Sequence, residues 1–482
     1  MFHRLLVAIV ISVIFISAAF GQNQRINEAV QLYQQGHLED AAKILSELRA
    51  EKPKDAVIAR WLGFIYLKQN KVTEALPLLQ QAVAALDNDP ETHNNLGTAY
   101  LYSDQLVEAL EQYNAAIKLK PDSPDVYYNI ANVYVKQKKY DDAVAAYKNA
   151  LKYKPNDPFT ENNLGFALQS SGKPTEALTH YEAATRLKPD NVLFWQNYGS
   201  ALLRLKKWQP AAFALQKAVN LDPASASTWL SLSEAYSNCD QKAQAIVALK
   251  KVIEKQPDNA VAFYNLGVLQ MSLREFKNAA TAFEKAAELK PDDVDTHVNL
   301  GVLQTRQGQY AAAETHFTKA LELNPKSVDI RINLAAAVAK QKKMARAAEL
   351  WKEVILMAPA RGDVRLAYAN YLFSQKDFKG ALPHYMSAST TLQTAEAYNN
   401  LGLDYFKLKD YANAVKSYNQ AISVNANYAP AYNNLGAAFE KQGKLNLALE
   451  QYRKALQIDP NNKDAKRNLN RFAKPPPKKV TT

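Results

Sequence analysis

From residue 22 onward the apolar positions of the chain recur with a period of 34. Written in rows of 34 from Gln22, the sequence fills ten rows to Arg361, one row of 33 (362–394) and two more of 34 (395–428 and 429–462). In the first half of each row apolar residues fall at positions 4, 7 and 11 around a small residue at position 8, as in Trp195, Tyr198, Gly199 and Leu202. That spacing predicts an amphipathic helix. The second half carries alanine at position 20, an aromatic residue or leucine at 24 and usually alanine at 27, as in Ala143, Tyr147 and Ala150, and predicts a second helix. Position 20 is alanine in all thirteen rows, from Ala41 to Ala448. Asp89-Pro90, Ser123-Pro124 and Asp157-Pro158 mark first-helix starts, a capping side chain followed by proline where its missing N–H costs nothing. Proline at position 32 in ten rows should stop the second helix; rows 2, 11 and 12 carry Asp87, Gln393 and Ala426 there instead. Pro77 and Pro383 fall inside second helices and predict kinks. Small residues at 8 and 20 would let the two helices cross closely, with the ring at 24 filling the space beside them.

Residues 262–293, AFYNLGVLQMSLREFKNAATAFEKAAELKPDD, and 430–462, PAYNNLGAAFEKQGKLNLALEQYRKALQIDPNN, resemble tetratricopeptide repeats, and the resemblance extends over 22–462. It implies an all-α fold: an α-solenoid, a right-handed superhelix of about thirteen helix–turn–helix repeats whose neighbours bury one another's apolar faces. The end of such a stack needs a polar-faced cap. Residues 463–474, with Ala465, Leu469 and Phe472 at helical spacing, are expected to form it, and Pro475-Pro476-Pro477 to end the fold before a disordered basic tail (475–482).

At 100° per residue, positions 2, 6, 9 and 13 point away from the core positions of the first helix. In the family that stripe lines the inner, concave surface. Position 6 is asparagine in ten of thirteen rows, and the resulting ladder resembles the one in the repeat region of O-linked N-acetylglucosamine transferases. An amide both donates and accepts, so a row of them can hold the backbone of an extended peptide without reading its side chains. The candidate peptide-binding residues are Asn95, Asn129, Asn163, Asn197, Asn265, Asn299, Asn333, Asn400 and Asn434, together with Phe64 and Phe166, apolar residues on the same stripe like Val268 and Val302. On this geometry their replacement by alanine should leave folding intact. The competing reading is that the amides merely join neighbouring helices. Position 13 is basic in seven rows and position 2 acidic in six, which the helix dipole explains without a ligand. His93 and His297, at position 4, read as packing residues, and the rings at 24 as core. The pattern that clamps chaperone carboxylates is missing, since position 6 is never basic and Arg60, the basic residue at position 5, is followed by Phe64.

Composition narrows the function classes. A single cysteine, Cys239, excludes a disulfide framework and Cys-based metal clusters, and no HExxH, P-loop or GxSxG occurs. No catalytic residue, metal ligand or cofactor is therefore assigned, and the twenty residues after row 13 are too few for a transferase domain. Of the net charge of +12, residues 463–482 carry +6 and residues 22–462 only +5, so no nucleic-acid surface is expected. Residues 1–21 read as a signal peptide: Arg4, then the apolar Leu5–Phe20 ending in small residues, about four residues short of a membrane span. The expected function is an exported, periplasmic or extracellular, non-catalytic scaffold that binds extended polypeptide or assembles envelope proteins. The alternatives are a recognition subunit for a separate glycosyltransferase or other enzyme, an envelope tether acting through the basic tail, and anchorage by an uncleaved N-terminal segment. Membrane contact is confined to that segment and the tail, and nothing in the sequence sets an oligomeric state. Mass spectrometry of the native protein is expected to find its N-terminus near Gln22; an intact Met1 on cytosolic protein would overturn the export reading.

Overall fold

The structure, a computed structural model, describes residues 23–473. The expected signal segment (1–21) and basic tail (475–482) lie outside the described residues. Every row folds into two helices packed on each other. First helices of rows 2–13 are 13 residues long, and second helices are 14, except 15 in row 11 (Phe378–Leu392). A last helix, Lys463–Ala473, packs on the second helix of row 13 with Ala465 fully buried, Asn468 bonded to Asn433 at 3.0 Å and Arg471 paired to Glu440. Leu469 and Phe472 are half-buried. Among the described residues there is no strand. Residues to Pro257, in essence rows 1–7, form one compact unit; those from Asp258, rows 8–13 with the last helix, form a second.

Helix starts follow the sequence signals. Asp89 and Asp157 accept from the backbone N–H of Thr92 and Thr160 at 3.2 and 3.0 Å, with Pro90 and Pro158 at the first helical turn. Ser123 precedes its proline without making the side-chain bond. The stop of the second helix depends less on proline than the sequence suggests. The residue after the helix takes φ −133° at Lys154, ahead of Pro155, and φ −121° and −142° at Leu86 and Asn425, where no proline follows. Row 11 ends differently, with Gln393 at φ 50°, so that only Gln393 and Thr394 link it to row 12. The helices Val72–Ala85 and Phe378–Leu392 run unbroken through Pro77 and Pro383. Each proline is the sixth residue, where it removes a single bond to the first turn.

The turn inside each row is uniform. Position 15 has positive φ in all thirteen rows, with φ from 55° to 65° at the nine non-glycine residues, such as Asn70, Lys206 and Lys409, and from 75° to 89° at Gly36, Gly172, Gly308 and Gly443. The following N–H bonds back to position 11, as Lys71 to Tyr66 at 2.8 Å and Gln105 to Tyr100 at 2.9 Å, closing a Schellman motif. An L-residue in this conformation costs roughly 1–2 kcal/mol. One such residue per row is tolerated because the motif satisfies the carbonyls that the first helix leaves open.

The two helices meet where the sequence is most constant. Alanine 20 has 0% exposure in every row, and the side chain at 24 is buried throughout, from Tyr113 at 0% to Trp351 at 8%. Glycine at position 8 makes room for that side chain. A Cβ on Gly97 would stand 2.7 Å from the Tyr113 ring, on Gly301 2.6 Å from Phe317, and on Gly199 2.6 Å from Leu215. Crossing distance is thus set by position 8 against the ring at 24 as much as by alanine 20. Replacing Gly301 by valine should destabilise by about 1–3 kcal/mol, because Phe317 has no space into which to retreat. Hydrogen exchange should show the loss in row 9 and its neighbours first; a uniform loss across both units would contradict nearest-neighbour packing.

Candidate functional site

In each unit successive first helices touch: rows 2 and 3, 3 and 4, 5 and 6, and 6 and 7 in the first, rows 9 and 10, and 12 and 13 in the second. Successive second helices approach nowhere as closely. The first helices therefore lie on the shorter, inner side of each stack, and the asparagine ladder lies on them. Asn95, Asn129, Asn163 and Asn197 belong to the first unit, and Asn265, Asn299, Asn333, Asn400 and Asn434 to the second; all nine are half-buried.

Most of these amides bond from row to row. The position-6 nitrogen donates to the position-5 side chain of the preceding row: Asn129 to Asn94 at 3.0 Å, Asn163 to the Tyr128 hydroxyl at 2.9 Å, Asn197 to Asn162 at 2.8 Å, Asn299 to the Tyr264 hydroxyl at 3.2 Å, and Asn434 to Asn399 at 2.9 Å. In rows 5, 12 and 13, where positions 5 and 6 are both asparagine, the first also donates to the second, as Asn162 to Asn163 and Asn399 to Asn400. In the second unit this yields one continuous chain. It runs from Asn468 through Asn433, Asn434, Asn399 and Asn400 to Asn370, which also accepts from the Tyr385 hydroxyl at 2.7 Å. Asn95, Asn265 and Asn333 make no such bond, because the preceding row offers Arg60, Leu230 and Val298, which cannot accept. The bonded members thus fasten rows together, and the expectation that their removal leaves folding untouched applies only to the unbonded ones. Each amide still keeps one hydrogen and one lone pair for solvent or a ligand.

The two phenylalanines differ. Phe64 is half-buried, edge-on to Tyr33 and Trp61 at 5.1 and 5.9 Å, with the Lys68 ammonium above its ring. It is part of a packed aromatic cluster and not the exposed contact expected of it. Phe166 is 41% exposed and touches only the edge of Tyr140 at 6.4 Å among the ring contacts. On the same stripe, Phe159 and Leu193 stand at position 2, which is acidic in six rows, and are 47% and 53% exposed, Phe159 being edge-on to Phe194 at 5.4 Å. The sequence does not single these two out, since position 2 also lacks a charge in five other rows, Val57 and Val261 among them.

Position 9 has a second role that no single column reveals. Where position 24 is tyrosine, position 9 often supplies its acceptor: Tyr113 to Thr98 at 3.1 Å, Tyr147 to Asn132 at 2.5 Å, Tyr385 to Asn370. Where position 24 is Phe283 or Phe317, which have no hydroxyl, position 9 is Val268 or Val302. Their apolar character therefore has a packing reason beside any binding role; Val302 is half-buried and Val268 39% exposed. His93 and His297 are buried, as expected of position 4, but they also bond the carbonyl at position 32 of the preceding row, to Asp87 and Pro291, both at 3.0 Å. Trp195 and Arg331 do the same to Pro189 and Pro325 at 2.9 and 3.1 Å. The charged positions behave as structural partners: Lys136 pairs with Asp104 at 3.1 Å, and Arg361 bridges Asp329 and Asp363 at 3.4 and 2.8 Å. The hydrogen bond from Arg361, above all, holds the Asp363 carboxyl below its ordinary range.

Family models agree with this geometry over most of the chain. Tetratricopeptide-repeat models match residues 32–96, 99–138, 124–157, 163–226 and 393–461, and the model of the cytochrome c-type biogenesis protein H TPR domain matches 238–357. The chain is a tetratricopeptide-repeat protein. Such repeats bind other proteins or peptides, and this tetratricopeptide-repeat array is a protein-interaction scaffold. Among curated proteins none matches it. Similar solved structures include MamA, 29% identical over 34% of this chain and 95% of its own with a TM-score of 0.33, and residues 41 to the end of MamA from Desulfovibrio magneticus RS-1, 26% identical over 35% and 95% with a TM-score of 0.33. The Cut9–Hcn1 hetero-tetramer of the APC/C is 15% identical over 92% and 95%, with a TM-score of 0.35.

The two classes of ladder residue should separate on mutation. Asn197→Ala leaves the oxygen of Asn162, 4% exposed, without its donor, at a cost of about 1–3 kcal/mol. Local opening of rows 5 and 6, read by hydrogen exchange, should rise roughly tenfold or more for a loss of about 1.4 kcal/mol. Asn333→Ala should change stability by less than about 0.5 kcal/mol. Equal effects would mean that the row-to-row bonds contribute nothing.

Proposed function

We propose that this protein is an exported, non-catalytic scaffold that holds an extended polypeptide along the inner face of its first helices. The observation that carries the reading is the ladder itself: amides repeated at one register, each with a donor and an acceptor left over, on the side of the stack where rows are drawn together. Phe166, Phe159 and Leu193 add an apolar patch on that face in the first unit, and a solvated surface has no use for three such neighbours. The likeness of residues 238–357 to a domain named for cytochrome c-type biogenesis is in keeping with an assembly role. Export rests on Leu5–Phe20 and awaits the N-terminal measurement above.

Affinity follows from the same chemistry. Five engaged amides at about 0.5–1.5 kcal/mol each supply several kcal/mol, and micromolar binding, about −8 kcal/mol, is reached only with apolar contacts beside them. A photo-crosslinking side chain at Phe166 should therefore capture the partner from the native envelope fraction, whereas one at Phe213, 59% exposed on a second helix, should not. The double variant Asn95→Ala/Asn333→Ala should fold as the parent does and hold the captured partner less tightly, by about 1.4 kcal/mol or tenfold. Capture from Phe213 alone would move the partner to the outer helices and overturn the proposal.

A further inference from the structure

Position 10 of the first helix is a small or apolar core residue in nearly every row, as in Ala99, Ala201, Ala337 and Ala438. Row 12 has Asp404 there. Its exposure is 0%, and neither carboxyl oxygen has a hydrogen-bond partner. Among the described residues no ion pair reaches it either. A buried carboxyl is normally bonded or paired, because leaving it bare in its charged form costs several kcal/mol. Asp404 sits on Ala395–Lys407, one turn beyond Asn400, where that helix packs on the second helix of row 11, Phe378–Leu392. From row 11 the groups that face it are Asp377 and Tyr385, and from its own helix Tyr405. The second helix of row 12 and the first helix of row 13, which pack on the other sides, bring no charge to bear on it. None of the groups that bear on it is a cation; His384, on the same row-11 helix, lies edge-on to Tyr368 and beside Arg365, and burial, then Arg365, hold its imidazole below the ordinary range. Burial, and then repulsion from Asp377, push the Asp404 carboxyl up to about 7.

The place is unusual as well as the residue. Row 11 is the 33-residue row, joined to row 12 only by Gln393 in a left-handed conformation and Thr394. The apolar cluster holding the two rows together is small, consisting of Ala369, Ala381, Tyr385 and Leu401 with half-buried neighbours. The amide bond from Asn400 to Asn370 and the Tyr385 hydroxyl bond to the same oxygen also meet at this junction.

We propose that Asp404 makes the junction between rows 11 and 12 proton-controlled: closed while the carboxyl is neutral, loosened once it ionises. The direction follows from linkage. In an opened junction the carboxyl returns to about 3.9, so between roughly pH 4 and pH 7 the open form binds fewer protons than the closed one. Opening therefore becomes up to about tenfold easier with each pH unit across that window, and levels off above about pH 7. Ionisation strains the closed form with a bare buried charge and brings it beside Asp377. Loosening interrupts the amide chain between Asn400 and Asn370, so the inner ladder of the second unit is divided there more often at neutral pH than in mildly acidic surroundings. The device depends on no partner and stands or falls apart from the binding proposal.

Hydrogen exchange of the full chain at pH 5, 6, 7 and 8, corrected for the intrinsic pH dependence of amide exchange, reads it directly. Amides of Phe378–Leu392 and Ala395–Lys407 should open more readily from pH 5 to about 7, by up to roughly tenfold per unit, and no further at pH 8, while rows 6 and 7, which carry no histidine, keep a constant opening. Asp404→Asn, a neutral group of the same shape, should abolish this rise; any dependence left by His384 has the opposite sign, opening growing as pH falls. Asp404→Ala, which restores the residue common at this position, should do the same and guards against an asparagine variant that fails to fold. Wild-type opening that does not rise from pH 5 to 7, a rise that persists in either variant, or one shared equally by rows 6 and 7 would each overturn the proposal.

Discussion

Everything in this molecule depends on how closely two short helices can cross, and that distance is set by atoms that are missing. The ring or leucine at position 24 lies where the Cβ of a glycine at position 8 would stand, within 2.6–2.9 Å in rows as far apart as 2 and 13. Alanine 20 admits nothing larger beside it. A helix of 13 or 14 residues is marginal on its own, so it persists by burying one face against its partner and another against the next row. Once the crossing is fixed in one row, each neighbour within its unit meets the same surface, and the rows of each unit stack with little adjustment. Exceptions show the tolerance: Ala131 and Ala335 occupy position 8 opposite the buried Tyr147 and Trp351, so one extra methyl is accommodated in those rows.

Most of this was legible in the sequence because the constraint falls on side-chain size, and size repeats as a column. The period, the helix pairs, the buried alanine and the capped starts all follow from composition at fixed positions. The left-handed residue at position 15 was invisible, since only Gly36, Gly172, Gly308 and Gly443 mark it and lysine or aspartate stands there in most other rows. Backbone geometry imposed by a Schellman turn leaves no column when L-residues bear its cost. The coupling of positions 9 and 24 was hidden for another reason. It is a partial correlation between two variable columns, tyrosine with an acceptor in three of six rows and phenylalanine with valine in both of its rows, and a single row reveals nothing of it. Phe64 was misplaced because helical projection shows a direction but not the neighbours, Tyr33 and Trp61, that fill it.

The ladder was legible as a feature and ambiguous as a function, and the structure explains the ambiguity. An asparagine at position 6 can bond position 5 of the preceding row only if that residue accepts, so Asn129, Asn197 and Asn434 are tied while Asn95 and Asn333 are not. One amide at one register thus serves packing or remains open according to a neighbour 35 residues away. A tied amide is also a better-placed one. Holding its plane fixed removes side-chain entropy that binding would otherwise have to overcome, about 0.5–1.5 kcal/mol per side chain.

What such a ladder cannot do is choose among peptides. In the second unit every row-to-row donor points toward the preceding row, from Asn468 to Asn433 and from Asn434 to Asn399, yet each amide retains one hydrogen and one lone pair, and an extended chain offers both in either direction. Selection must come from side chains beside the ladder, and the charged positions are poor candidates where they are already engaged, as Asp329 and Asp363 are by Arg361. The surface that differs from row to row is the apolar one. Phe159 and Leu193 stand where six rows carry an acid, Phe166 lies on the same stripe, and burying the exposed half of each would contribute about 1 kcal/mol, comparable with an amide bond. Two successive rows are enough to seat one or two apolar side chains of an extended strand, whose residues advance about 3.3 Å each. On the proposed reading the ladder would supply register and the patch preference, which favours a partner with bulky apolar residues within an otherwise polar stretch.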